Sequence, residues 1–153
     1  MDQITSLTLE DTYKTPKIKL NPLNGELLFS GKSMPENAGK IYEPVLDWVK
    51  EYILNARPIT NLKINLEYFN TSSSIWISKI LKTLTTIENP DYLLIVHLYI
   101  SEEDFESVEE FDDLKDAFSP IIDIFLNSTV SVGLKLYAIN EKSEVVKDTL
   151  VLL

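Results

Sequence analysis

Leu62, Ile64, Leu66 and Tyr68 alternate with Lys63, Asn65 and Glu67, a two-residue period that predicts a half-buried strand over residues 60–68. Directly afterwards Ile77, Ile80, Leu81, Leu84 and Ile87 recur at helical spacing, which predicts a helix to about Ile87. The period changes across Asn70-Thr71-Ser72-Ser73-Ser74, placing four consecutive hydroxyl side chains on a strand-to-helix turn at the positive end of a helix. Two readings fit that turn. Asn, Thr and Ser accept bonds from the orphan N–H groups of a first helical turn; a helix N-terminus also accommodates an added phosphate.

The same patterning organises the rest of the chain. Lys17-Ile18-Lys19-Leu20 reads as a short strand, Asn21 to Gly25 as a turn with positive φ open to Gly25, and Glu26 to Ser30 as the returning strand of a hairpin. Gly31 to Asn37 is a loop, and Asn37 is placed to cap a helix whose stripe (Ala38, Ile41, Tyr42, Val45, Val49, Tyr52, Ile53) runs through residue 54. Pro44 in its second turn predicts either a late start near Tyr42 or a kink, and Trp48 beside the stripe belongs to the core or its rim. Arg57-Pro58 closes that helix, and Glu88 to Asp91 breaks the next one. Tyr92 to Ile100 is almost continuously apolar, as expected of a central strand covered on both faces. Ser101-Glu102-Glu103-Asp104 has the form of a capping box, and Phe105, Val108, Phe111, Leu114 and Phe118 predict a third helix behind it. Ser119-Pro120 starts a further short helix. Val130 to Ala138 alternates as a strand, Asn140 to Ser143 turns, and Val145 to Leu152 reads as a strand or a short helix.

Strands alternating with helices predict an α/β fold: a mixed sheet of about five strands, entered through an N-terminal hairpin and parallel in its middle, packed with about three to four helices. At 153 residues this is one domain, with residues 1–14 as a loose lead-in in which Leu7 and Leu9 are able to dock. Residues 128–153 form a C-terminal strand and tail.

Charge narrows the function. Twenty-four acidic side chains against 14 basic ones give a formal charge of -10, a surface that repels nucleic-acid phosphates and anionic lipid and suits a basic protein partner. Cysteine is absent, which removes disulfides, thiolate catalysis and Cys-ligated zinc. Met1-Asp2-Gln3-Ile4 lacks the start of a signal peptide, and the aliphatic run Leu93 to Val96 is far too short to span a bilayer, so cytoplasmic residence is expected.

Catalytic chemistry finds little purchase. The single histidine, His97, lies inside an apolar strand, where a hydrogen-bonded structural role fits better than catalysis. The acids Glu102, Glu103, Asp104, Glu106, Glu109, Glu110, Asp112 and Asp113 lack a calcium-loop pattern and read as a solvated helix face. No phosphate-binding glycine pattern or nucleophile elbow occurs, so no cofactor or metal is expected. Acids are plentiful, yet nothing singles out a catalytic pair.

Thr15-Pro16-Lys17-Ile18, the loop Ser30 to Ala38 followed by Tyr42-Glu43-Pro44-Val45-Leu46-Asp47-Trp48-Val49, and Leu66 to Ser74 together resemble the SiaC family of bacterial regulatory phosphoproteins. The resemblance covers roughly residues 12–100 and fades after about Ile100. It implies a STAS-like fold, similar to anti-sigma-factor antagonists, and a non-catalytic role in a partner-switching pathway. It also implies reversible phosphorylation of the threonine in the Asn-Thr-Ser-Ser motif, here Thr71, with Ser72 as the alternative acceptor. A dedicated Ser/Thr protein kinase adds the phosphate in that scheme, and a PPM-class metal-dependent phosphatase removes it. The unphosphorylated form binds an effector, a diguanylate cyclase in the family's best-known system, and so raises cyclic di-GMP.

On this reading Asn70, Ser72 and Ser73, with Ser33, Met34, Glu36 and Asn37 from the earlier loop, form the partner-binding surface, and the N–H groups of Ser73 and Ser74 hold the phosphate. Lys79 and Lys82 lie one and two turns further on, within reach of leaning toward it. The alternatives are a constitutive adaptor without phospho-regulation and an enzyme built on carboxylates.

Overall fold

Each change of period marks an element boundary in the computed structural model, which describes residues 4–108, 123–126 and 128–152. The strands are β1 (Leu7–Leu9), β2 (Lys17–Asn21), β3 (Glu26–Ser33), β4 (Ile59–Phe69), β5 (Leu93–Ser101), β6 (Ser131–Ile139) and β7 (Val145–Leu152). The helices are α1 (Ala38–Tyr52), continued by a 3-10 turn at Ile53–Asn55, α2 (Thr71–Leu84) and α3 (Glu102–Ser107). Residues 123–125 are helical as well. Phe111, Leu114 and Phe118 of the expected third helix, and the expected helix start at Ser119-Pro120, lie outside the described residues.

The strands form one seven-stranded sheet in chain order, β1 to β7. β3 through β6 pair in parallel, while β1–β2, β2–β3 and β6–β7 are antiparallel. The sheet is thus wider than the five strands expected, because the N-terminal segment and the C-terminal tail each add an edge strand. Part of the expected loose lead-in is tied down: β1 pairs with β2, and Trp48 Nε1 donates to the Thr5 carbonyl at 2.7 Å. That bond satisfies the one polar atom of a buried indole.

Parallel strands laid down in sequence, each joined by a right-handed crossover, put their helices on the same face of the sheet. Ile18, Leu20, Leu27, Phe29, Leu62 and Ile64 from the sheet meet Tyr42, Val45, Val49, Ile80, Leu81 and Leu84 of α1 and α2 in the core. The expectation that β5 is covered on both faces is therefore wrong. Leu94, Val96 and Leu98 are buried under the helices, whereas Leu93, Ile95 and Tyr99 are only half-buried on the far side. That side is closed by its own cross-strand contacts. His97 Nε2 donates to Asn61 Oδ1 and Nδ1 accepts from the Tyr137 hydroxyl, both at 2.7 Å, while Tyr99 stacks on Tyr137 at 4.4 Å. These bonds suit a neutral ring, and burial lowers the His97 pKa to about 4, with Lys63 and Lys135 adding to the effect.

Pro44 neither delays nor ends α1. It sits on the exposed side, where water can satisfy the carbonyl left without a donor. Gly25 takes φ +70° in the hairpin turn, and a Cβ there would lie 2.5 Å from the Ile59 carbonyl oxygen. No helix among the described residues is long and apolar enough to cross a membrane.

Candidate functional site

Because β3 and β4 run parallel, their C-terminal ends lie side by side, and the loop after one meets the turn after the other. The junction is stitched by polar groups. Asn70 N–H donates to the Ser33 carbonyl at 2.9 Å, and the Asn70 side chain caps α2 by accepting from Ser73 N–H at 2.9 Å. Ser33 and Ser73 are completely buried, with their hydroxyls 2.8 Å apart, and Ser33 Oγ lies 2.6 Å from the Tyr42 hydroxyl. Ser73 Oγ donates to the Ser33 carbonyl at 3.2 Å. One proton arrangement satisfies the set: Tyr42 donates to Ser33, Ser33 to Ser73, and Ser73 to the Ser33 carbonyl. Burial pushes the Tyr42 phenol above its ordinary range, against the hydrogen bonds to Ser33 and Ser73 that lower it, so the phenol remains a donor.

This geometry divides the expected surface residues. Ser33 and Ser73 do not face a partner; they are sealed inside, tying β3 to α2. Met34 is half-buried, and its N–H donates to the Lys14 carbonyl at 2.7 Å. Glu36 is exposed and lies 3.6 Å from Lys14. Asn37 is exposed and caps α1 through Lys40 N–H at 3.4 Å. Asn70 is half-buried as the cap of α2, and Ser72 and Thr71 are exposed.

The hydroxyls of the motif are not equivalent. Ser72 Oγ donates to Asn70 Oδ1 at 3.2 Å, Ser74 Oγ donates to the Thr71 carbonyl at 2.7 Å, and Ser73 belongs to the buried set. Among the described residues none bonds the Thr71 hydroxyl, which projects from the first residue of α2. The N–H groups expected to hold a phosphate are already engaged: Ser73 N–H by Asn70 Oδ1, and Ser74 N–H by the Asn70 carbonyl at 3.0 Å. The donors left over at this helix start are the amides of Thr71 and Ser72, which precede any intrahelical acceptor. The first turn of α2 carries no acidic residue, unlike that of α3 with Glu102, Glu103 and Asp104, so its positive end is uncompensated. Lys79 does not lean toward Thr71; its Nζ sits 4.4 Å over the Trp76 ring.

Three large apolar side chains near Thr71 escape a reading by periodicity. Tyr68, Phe69 and Ile75 are 53%, 48% and 53% exposed, although the first two end a strand and the third lies one helical turn beyond Thr71. The signal was present at Ile75, which falls on the Thr71 face at i+4 and off the buried stripe. The helical stripe marks Tyr42 only as a core position, because nothing in such a stripe distinguishes a phenol that packs from one that also bonds.

A family model described as SiaC family regulatory phosphoprotein matches residues 9–144. The match extends past the Ile100 limit expected from the motifs and takes in β6, leaving β7 beyond it. An uncharacterised protein of Pseudomonas aeruginosa (strain UCBPP-PA14) is 33% identical over 70 residues, 46% of this chain. The chain spans just over half, 56%, of that relative's length. Among solved structures, SiaC of Pseudomonas aeruginosa superposes with a TM-score of 0.62 at 26% identity, covering 74% of this chain and 92% of that one. A chain of the complex of the diguanylate cyclase SiaD with its activator SiaC, from the same organism, superposes with a TM-score of 0.65 over 86% of this chain and 99% of that one. At 20% identity this second likeness concerns the fold.

Proposed function

The chain belongs to the SiaC family of regulatory phosphoproteins, and on that footing we propose that it is a non-catalytic switch set by a phosphate on Thr71 and read out as binding to an effector protein. The observation that carries the proposal is the inequality of the hydroxyls. Ser72, Ser73 and Ser74 each donate to a neighbour, whereas Thr71 stands exposed and unengaged among the described residues, on a helix start without a compensating acid. A Ser/Thr kinase adds the phosphate and a PPM-class phosphatase removes it. The effector is a diguanylate cyclase; the SiaC chain whose fold this protein shares is the activator of one.

The patch of Tyr68, Phe69 and Ile75 supplies the apolar contact for that effector. A partner seated on it brings the Thr71 hydroxyl into a dry contact. Phosphorylation adds nearly two negative charges, which the partner must then desolvate at a cost of several kcal/mol. A loss on the order of 3 kcal/mol is more than a hundredfold in affinity. Nothing has to refold, because the junction under Thr71 is held by the buried Ser33, Ser73 and Tyr42 hydroxyls. Glu36 and Asn37, exposed on the adjacent loop, lie at the border of the same surface.

Incubation with the cognate kinase and ATP, followed by intact mass measurement, tests the site. One phosphate on the wild type and on Ser72→Ala, and none on Thr71→Ala, is expected. Phosphate retained on Thr71→Ala contradicts the assignment.

A further inference from the structure

The β4–β5 ladder stops early. It pairs Ile59 with Leu93 through Ile64 with Leu98, yet β4 continues to Phe69 alongside β3, and β5 continues to Ser101 alongside β6. The two strands therefore part at their C-terminal ends. Between them the edge of Leu66–Phe69 turned toward β5, and the edge of Tyr99–Ser101 turned toward β4, have no strand partner among the described residues. A groove of about 1030 Å³ opens there.

The lining is of two kinds. Leu66, Phe69, Ile100 and Ile139 give it an apolar floor. Around them stand Glu67, Glu102, Glu103, Asp104, Glu141 and Glu144, six exposed carboxylates against one lysine, Lys142. Glu67 owes its position to an irregularity: the β3–β4 register passes from Gly31–Leu66 to Lys32–Tyr68, so Glu67 is the extra residue of a bulge. Bulges of this kind re-aim a side chain.

We propose that this groove binds an extended, lysine- or arginine-rich segment of the effector, paired through its backbone to one of the open strand edges. Unpaired edges offer the main-chain hydrogen bonds of strand addition, the carboxylate rim selects positive charge, and the floor accepts alternate apolar side chains. The proposal rests on the reading of the chain as an effector-binding switch, since the groove begins at Phe69, within the apolar patch beside Thr71. Thr71 itself is not in the lining, so the groove is a second, charge-driven contact that the phosphate does not occupy.

A short fluorescein-labelled peptide of alternating lysine and valine serves as the probe, with the glutamate–valine counterpart as control. Fluorescence anisotropy with the full chain should show binding of the lysine peptide alone. Glu102→Lys with Glu103→Lys should weaken it about tenfold or more, and Phe69→Ala should weaken it too. Glu43→Lys with Asp47→Lys, the same charge change on the exposed side of α1, should cost about twofold or less. Hydrogen exchange in the complex should protect amides within residues 66–69 or 99–101. No binding, equal loss from both charge reversals, or protection confined elsewhere overturns the groove. None of these outcomes bears on Thr71, whose own test is the loss of effector binding on phosphorylation.

Discussion

Thr71 is singled out by what its neighbours do. Asn70 uses its carboxamide as a cap, Ser72 and Ser74 bond locally, and Ser73 turns inward, which leaves one exposed hydroxyl of the motif without a bond among the described residues. The buried set beneath it is an anchor, and removing a member leaves a partner unsatisfied. Ser73→Ala and Tyr42→Phe should each lower the unfolding free energy by about 1–3 kcal/mol in urea titrations, while the exposed Thr71→Ala changes it by about 0.5 kcal/mol or less. His97 makes a second residue-scale prediction. Its pKa in the folded chain is about 4, below the ordinary 6.5, so the unfolded chain binds the extra proton in between. The contribution to stability is complete above pH 6.5 and is lost as pH falls through about 4, a change of roughly 3 kcal/mol at most. His97→Gln should flatten the pH dependence of unfolding across that window; parallel curves for both proteins would contradict it.

Among the elements, those with long, unmixed periods were legible in the sequence. β4, α1 and β6 fall within two residues of their expected limits, and both Asn caps, Asn37 and Asn70, are in place. β1 was not assigned, because three residues carry too little alternation to separate a strand from a docking loop; it forms only because β2 offers an edge. β7 was ambiguous for a related reason: its apolar pairs at both ends suit either period, and the open edge of β6 decides. Composition overstates the coverage of β5, since an apolar run does not reveal that the described helices pack on one side of the sheet. In the candidate site, the exposure of Thr71 follows from the position of the turn, but the burial of Ser33 and Ser73 does not, because a hydroxyl at a helix start is equally suited to solvent and to a partner across the sheet. The hairpin turn gives a direct test at this scale. Gly25→Ala places a Cβ against the Ile59 carbonyl at positive φ and should destabilise by about 1–3 kcal/mol, measured as a shift in urea midpoint with an unchanged slope.

At the scale of the whole molecule, the sites proposed above share one edge of the described structure. The loop after β3, the start of α2 and the groove between β4 and β5 all lie at the carboxyl ends of parallel strands, while the helices and the far face of the sheet hold them in place. On the switch proposed above, a rigid scaffold of this form is controlled by changing its surface, so that a single modification suffices and no conformational change is required. The most direct measurement is a titration of the diguanylate cyclase proposed as effector with unmodified protein and with protein carrying stoichiometric phosphothreonine at position 71, each also melted by circular dichroism. Affinity should fall more than about a hundredfold on phosphorylation with superposable melting curves. Equal affinities, or a loss of binding that accompanies unfolding of the phosphorylated chain, would contradict a switch that works by surface charge on a fixed fold.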